Sequence, residues 1–241
     1  MLRVEALSVR FRRHDGLCDD VLDGVDLTLP RGALRGLVGG SGAGKSLVAE
    51  ALLGLLPRNA LVSGQMRVDG RALRTGDIGL APQGVDALDP LMRVGAQMDR
   101  MARLAGAAPQ AVTLARAVGL PEATLDAWPH ELSGGMAKRA LIATALATGA
   151  PYLVADEPTL GLDPATADKV LDLLAAIARG GVGVLVISHD LPRLVARAEQ
   201  VTILHHGQMV ETAPAAAFGA GGLQHPFSRR LWAAQHWGQA C

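Results

Sequence analysis

Cysteine is almost missing from this chain: only Cys18 and Cys241 occur among 241 residues. Two thiols cannot build a disulfide framework, and such sparing use fits a reducing cytosol. Net charge is also missing, because 23 basic side chains face 23 acidic ones. That balance excludes both a charged disordered tail and a surface built to coat nucleic acid, so partners must be recognised locally. Long apolar runs are missing too. The longest predominantly apolar uncharged run, Ala140 to Ala155, has 16 residues and is interrupted by Gly149 and Pro151. It falls short of the ~20 apolar residues that cross a bilayer. Glu5 breaks the amino-terminal stretch where a signal peptide would need its apolar core, so the chain is expected to stay in the cytoplasm. Lysine is rare, with only Lys45, Lys138 and Lys169 against many arginines, an imbalance that reads as genomic composition with little functional content. No long repeat and no clear interdomain linker occur.

What is present is enough for a real core. Apolar residues make up 49% of the chain, and a globule of this size buries roughly 70–75% of its unfolded surface. Val4 to Phe11 and Val25 to Leu29 alternate roughly between apolar and polar residues, and Asp69-Gly70 after GQMRV reads as a hairpin turn. These features predict an antiparallel sheet near the amino terminus. The segment between Phe11 and Val25 is loosely patterned. Leu34–Val38, Tyr152–Ala155 and Val182–Ser188 are short apolar runs, as expected of parallel strands covered on both faces. Each ends in polar residues, and ligands of open parallel sheets bind beyond those ends. From about Leu91 to Leu132 strand signals give way to helical spacing, which predicts a helical insertion. After Gly207 the Ala- and Gly-rich stretch Ala213 to Gly222 reads as weakly ordered, followed by a short terminal helix in PFSRRLWAAQHW.

Three motifs carry chemistry. Gly39-Gly40-Ser41-Gly42-Ala43-Gly44-Lys45-Ser46 matches G-x-x-x-x-G-K-[ST] between a strand and a helix, as a phosphate-cradling loop requires. Its glycines let the backbone wrap phosphate oxygens, Lys45 bridges the β- and γ-phosphates, and Ser46 holds Mg²⁺. Asp156-Glu157 ends an apolar strand. Asp156 suits Mg²⁺, and Glu157 suits orienting or deprotonating the water that attacks the γ-phosphate. Leu132-Ser133-Gly134-Gly135-Met136 opens a third helix, with backbone N–H groups and a helix dipole able to face a phosphate.

This last motif, just before the acidic strand, resembles the signature of ABC ATPases. The order of phosphate loop, Gln83, signature, Asp156-Glu157, Leu160-Gly161-Leu162-Asp163 and Ser188-His189-Asp190 resembles that family over essentially the whole chain. The resemblance implies an α/β fold with a RecA-like P-loop NTPase core, an N-terminal antiparallel β-subdomain and an inserted α-helical subdomain. The expected division is one nucleotide-binding domain over 1–241, with the helical part at about 88–148. The resemblance also implies a sandwich dimer, in which Ser133, Gly134 and Gly135 of one subunit face the ATP of the other. Within that picture Gln83 senses Mg²⁺ and the γ-phosphate, His189 contacts the γ-phosphate and supports Glu157, and Asp163 couples the two sites. Phe11 falls where the family stacks an aromatic on adenine; ordinary packing in the first sheet is its other reading.

Met136, where many members carry glutamine, and Ala81-Pro82 before Gln83 depart from the commoner pattern without removing a phosphate-contacting group. Ala87-Leu88-Asp89-Pro90-Leu91 and the tail from His225 to Arg230 look like the dipeptide, oligopeptide and nickel importer subgroup, most similar to its nickel-import ATPases. The implied function is the MgATP-hydrolysing subunit of an importer of nickel, a metal–metallophore complex or small peptides. The implied partners are separate permease subunits, a second ATPase subunit, identical or homologous, and indirectly an extracytoplasmic solute-binding protein. The implied place is the cytoplasmic face of the bacterial plasma membrane. The other readings are a soluble ABC ATPase acting on ribosomes or DNA, disfavoured by the neutral charge, and a regulatory half of an asymmetric pair. His205, His206, His225 and His236 lack tight ligand spacing and are not expected to form a metal site. Trp232 and Trp237 are expected to pack the terminal helix or a partner surface.

Overall fold

The computed structural model describes residues 1–236; Trp237 and Cys241 lie outside the described residues. The chain folds around a ten-stranded sheet. At one side lie strands β1 (Leu2–Arg12), β2 (Cys18–Leu29), β4 (Ala60–Val68) and β5 (Arg71–Ala72). They pair antiparallel, as the alternation predicts. Asp69 and Gly70 both take positive φ in the tight turn between β4 and β5.

The other side is built from β3 (Leu34–Gly39), β6 (Ile78–Ala81), β7 (Tyr152–Asp156), β8 (Gly183–Ser188), β9 (Gln200–His205) and β10 (Gln208–Pro214). β9, β3, β8, β7 and β6 are parallel neighbours in that order, and β10 runs antiparallel to β9. Successive residues of a strand point to opposite faces, and here both faces are buried. Val184 and Val186 of β8 join one apolar cluster, while Leu185 and Ile187 join the other. The second cluster is closed by β1, β2 and helix α1 (Lys45–Leu53). The first is closed by α2 (Val94–Leu104), α3 (Ala111–Ala117), α4 (Gly134–Leu146), α5 (Pro164–Arg179) and α6 (Leu191–Val195). Each such side chain, fully buried, contributes about 1.5–3 kcal/mol. Helices α2 to α4 fall between β6 and β7 in sequence, where helical periodicity replaces strand signals. Among the described residues no helix is long and apolar enough to cross a membrane.

Two expectations need correction. The loosely patterned stretch before Val25 is strand, since β2 starts at Cys18 and pairs with β1 as far as Arg12. Three register shifts between β1 and β2 interrupt the period of two, so pattern alone does not reveal the pairing. The stretch from Ala213 to Gly222 is also ordered: β10 runs to Pro214 and α7 (Ala215–Gly219) follows. Phe218, 2% exposed, anchors that short helix and packs edge-on against Trp232 of α8 (Pro226–His236) at 5.5 Å. One aromatic among alanines supplies the burial that composition obscures. The β9–β10 hairpin, turned at His206 and Gly207 with positive φ, lacks the Asn-Gly or Asp-Gly signal that would announce it.

Candidate active site

Four neighbouring parallel strands deliver the polar residues to one edge of the sheet. β3 leads into the phosphate loop, β8 into His189, β7 into Glu157 and β6 into Gln83. The carboxyl ends of adjacent parallel strands form a common crevice.

The loop from Gly39 to Gly44 is a tight backbone ring. Gly44 caps α1 at φ 99°, and a Cβ there would lie 2.5 Å from the Leu22 side chain. Only glycine fits both the conformation and the contact. The Lys45 ammonium donates to the carbonyl oxygens of Gly39 and Gly40, each at 3.1 Å, so the lysine holds the loop's own backbone. No acidic residue occupies the first turn of α1, which leaves the positive end of the helix uncompensated.

Ser46, on that first turn, lies against the carboxylate of Asp156 and favours its charged form. Burial dominates, however, and pushes the Asp156 pKa above the ordinary carboxylate range. Its Oδ1 is buried with no hydrogen-bond partner. A buried, unpartnered carboxylate oxygen beside a serine hydroxyl is the donor set that a hard divalent cation takes, so these residues fit Mg²⁺. Glu50, Leu80 and Pro82 line the adjoining cavity of about 280 Å³ together with Ser46 and Asp156.

Glu157 sits in a strained conformation, with φ 45° and a proline following. A non-glycine residue there costs on the order of 1–3 kcal/mol unless its surroundings hold it. They do: its N–H donates to the Ile187 carbonyl at 2.9 Å, and its own carbonyl accepts from the Leu160 N–H at 3.2 Å and from Lys138 Nζ at 3.1 Å. The kink turns the carboxylate toward His189, whose Nδ1 is 2.7 Å from Oε2. In the neutral imidazole, an Nδ1–H that donates to the Glu157 carboxylate leaves Nε2 as an acceptor. The Glu157 side chain is 10% exposed and that of His189 is 57% exposed, so the imidazole is the part of the pair that faces solvent. Gln83 is exposed, and its carbonyl accepts a hydrogen bond from Lys138.

The signature lies apart from this cluster. Ser133 caps α4, its hydroxyl accepting from the Met136 N–H at 3.3 Å. No hydrogen bond or ion pair among the described residues joins Ser133 to Gly135 with the phosphate loop. Instead, a Cβ on Gly135 would lie 2.5 Å from Thr166 of α5, so α4 packs directly on the start of that helix. Asp163 caps α5 through the Thr166 N–H at 3.1 Å, and the hydrogen bond to Thr166 lowers its pKa first of all. Ser133, Gly134 and Asp163 are exposed. Phe11 is half-buried and lines an open cavity of about 860 Å³ with Arg12, Arg13, His14, Asp15 and Asn59. His205 stacks on Phe227 at 3.8 Å, and among the described residues no cluster of three or more His, Cys, Asp and Glu side chains could hold a metal. Lys138 is the residue that sequence reasoning missed. Its one signal in the sequence is rarity, since the only lysines are Lys45, Lys138 and Lys169.

The family model for ABC transporters matches residues 22–160. The oligopeptide transport ATP-binding protein OppD of Lactococcus lactis is 33% identical over 96% of this chain and 74% of its own length. OppD of Haemophilus influenzae is 34% identical over 88% of this chain and 72% of its own. The peptidoglycan transport ATP-binding protein YejF of Agrobacterium fabrum is 36% identical over 99% of this chain and 48% of its own. Among solved structures, cbiO1 of Clostridium perfringens superposes with a TM-score of 0.76 at 24% identity, over 99% of this chain and 98% of that one. The dimeric cassette MJ0796 bound to ADP and Pi gives 0.75 at 23% identity, over 89% and 99%. These likenesses confirm the P-loop α/β fold, and the chain belongs to the ABC transporter family as an ATP-binding ATPase subunit.

Proposed function

We propose that this subunit drives uptake of small peptides or peptide-like molecules through a separate permease, at the cytoplasmic face of a bacterial plasma membrane. One arrangement carries the catalytic part of the reading: the buried, unpartnered Asp156 oxygen lies one residue from a Glu157 carboxylate aimed at His189. Asp156 and Ser46 would hold Mg²⁺ with help from Gln83, and the ion, when bound, neutralises charge on the phosphate oxygens. Residues Gly39 to Lys45 bind the phosphates, and Phe11 supports the adenine. Glu157 accepts the proton of the attacking water, and His189 keeps that carboxylate oriented. Ser133, Gly134, Gly135 and Asp163 serve the opposite subunit's nucleotide, which agrees with the exposure of Ser133, Gly134 and Asp163.

The helical part at about 88–148 acts as the transmission element. Leu91 near its start is 86% exposed, and Val85 shortly before it in sequence is 45% exposed, apolar side chains suited to a permease helix. Solute would reach the permease through an extracytoplasmic binding protein. The names of the relatives described above move the cargo reading toward peptides and away from nickel or a metal–metallophore complex. Uptake assays with peptides, nickel and a metallophore complex, in cells lacking the chain and in cells carrying Leu91→Glu, test it. Peptide uptake is expected to vanish in both, with ATP binding by the Leu91→Glu protein unchanged. Loss of nickel uptake alone would replace the peptide reading.

A further inference from the structure

Lys138 lies in the middle of α4 and is 4% exposed. Among the described residues it forms no ion pair. Its ammonium is spent on two main-chain carbonyl oxygens from distant parts of the sequence, those of Gln83 and Glu157. Gln83 follows β6, and Glu157 follows β7 at its strained φ of 45°. A buried ammonium is costly unless its donors are satisfied, and a helix core position of this kind is ordinarily apolar. Burial lowers the Lys138 pKa, against the opposing charges of Glu157 and Asp156. The same helix begins with Ser133 one and a half turns earlier.

We infer that Lys138 is a positioning residue for hydrolysis, tying the Gln83 and Glu157 main chains to the signature helix so that the Glu157 carboxylate is held on line with the attacking water. The inference rests on the reading of Glu157 as the group that activates that water. Without the tie, Glu157 keeps its N–H bond to Ile187 but loses one of two hydrogen bonds to its carbonyl, and the kink that aims the carboxylate relaxes. Displacement of a catalytic group by about 1 Å costs on the order of a hundredfold in rate. Substrate binding depends on the phosphate loop, which Lys138 does not touch, so the effect falls on turnover rather than on affinity.

The test compares Lys138→Met, which keeps length and removes the donors, with Lys138→Gln, which keeps an N–H donor, in the full chain assembled with its permease. Glu157→Gln serves as the reference, and rates are normalised to titrated ATP sites so that unfolded protein does not imitate a slow step. Lys138→Met is expected to lower kcat about 10–100-fold with KM and the Kd for ATP within about twofold. Lys138→Gln is expected to recover most of that loss. A Lys138→Met enzyme that retains wild-type kcat beside an inactive Glu157→Gln would overturn the inference alone. Normal turnover by Glu157→Gln would remove the Glu157 reading and the inference with it. Loss of ATP sites in both Lys138 variants would assign the residue to folding and also overturn the inference.

Discussion

The two halves of the site are built in opposite ways. The half made by the phosphate loop, Asp156, Glu157 and His189 is internally bonded around two buried carboxylates: Lys45 holds loop carbonyls, Glu157 holds His189, and Lys138 holds Glu157. The half made by Ser133, Gly134 and Asp163 is exposed, and its polar atoms satisfy only their own helix starts. Buried polar atoms need partners within the chain, whereas exposed ones can wait for a partner from outside. The Asp156 oxygen is the exception within the internally bonded half, and an orphan of that kind in a native site calls for a ligand. The contrast supports the proposed division of labour, in which the chain's own loop binds nucleotide and the signature serves the nucleotide of the opposite subunit.

The largest effects should come from within the internally bonded half. Lys45→Ala removes a ground-state phosphate contact and should abolish tight MgATP binding, whereas Glu157→Gln should preserve binding and lower turnover by three or more orders of magnitude, on the order of what loss of a catalytic group costs. Nucleotide titration and single-turnover hydrolysis on both variants separate the two roles. Equal loss of binding in the two would show that Glu157 is part of the phosphate cradle and not the base.

A smaller, conditional effect belongs to the exposed half. Ser133→Arg should leave ATP affinity of the isolated subunit intact and reduce hydrolysis in the assembled complex by about a hundredfold, the usual scale for losing one phosphate-stabilising contact. Mixed dimers carrying one mutant subunit locate the loss. If it falls at the mutant subunit's own phosphate loop, the division between the two halves is wrong.

The legible parts of this molecule are those where local chemistry suffices. The phosphate loop, the apolar strands and the acidic pair each need a residue type at a fixed spacing, so Lys45, Asp156 and Glu157 can be read without a structure. The part of β2 before Val25 hid because its register is set by β1 through bulges, and α7 hid because its order comes from Phe218 meeting Trp232, a contact remote in sequence. Lys138 hid for the same reason. Nothing in AKRALI shows that this side chain will lie between two carbonyls more than 50 residues apart in sequence; the Gln83 contact alone spans 55 positions. In an arginine-rich chain a buried lysine has its own physical reason, because a compact ammonium fits where a planar guanidinium does not.

The smallest expected effects are on stability, and they sharpen the contrast between a carboxylate kept for a ligand and one kept for the fold. Asp77 is bound by Arg71 at 2.6 and 2.7 Å and by the Arg74 N–H at 2.8 Å. The Arg71 hydrogen bonds hold its pKa below the ordinary carboxylate range. A depressed folded-state pKa means that the stabilisation is present above the unfolded value of about 3.9 and is lost as pH falls through the folded value. Asp156 has the opposite sign, since burial raises its folded pKa. Its charged form therefore costs stability at neutral pH, and that cost disappears on acidification below the unfolded value, where both states are protonated. In Mg²⁺-free buffer at neutral pH, Asp77→Asn should lower the melting temperature and Asp156→Asn should raise it, on the scale of about 2–4 °C per kcal/mol for a chain of this size. Adding Mg²⁺ and ATP should stabilise the wild type and Asp77→Asn but give Asp156→Asn much less protection. Thermal melts of the three proteins across pH 3–8, with and without MgATP, provide the measurement. A drop in melting temperature for Asp156→Asn in the absence of ligand would mean that its carboxylate is a structural element, and the assignment of its free oxygen to Mg²⁺ would fall.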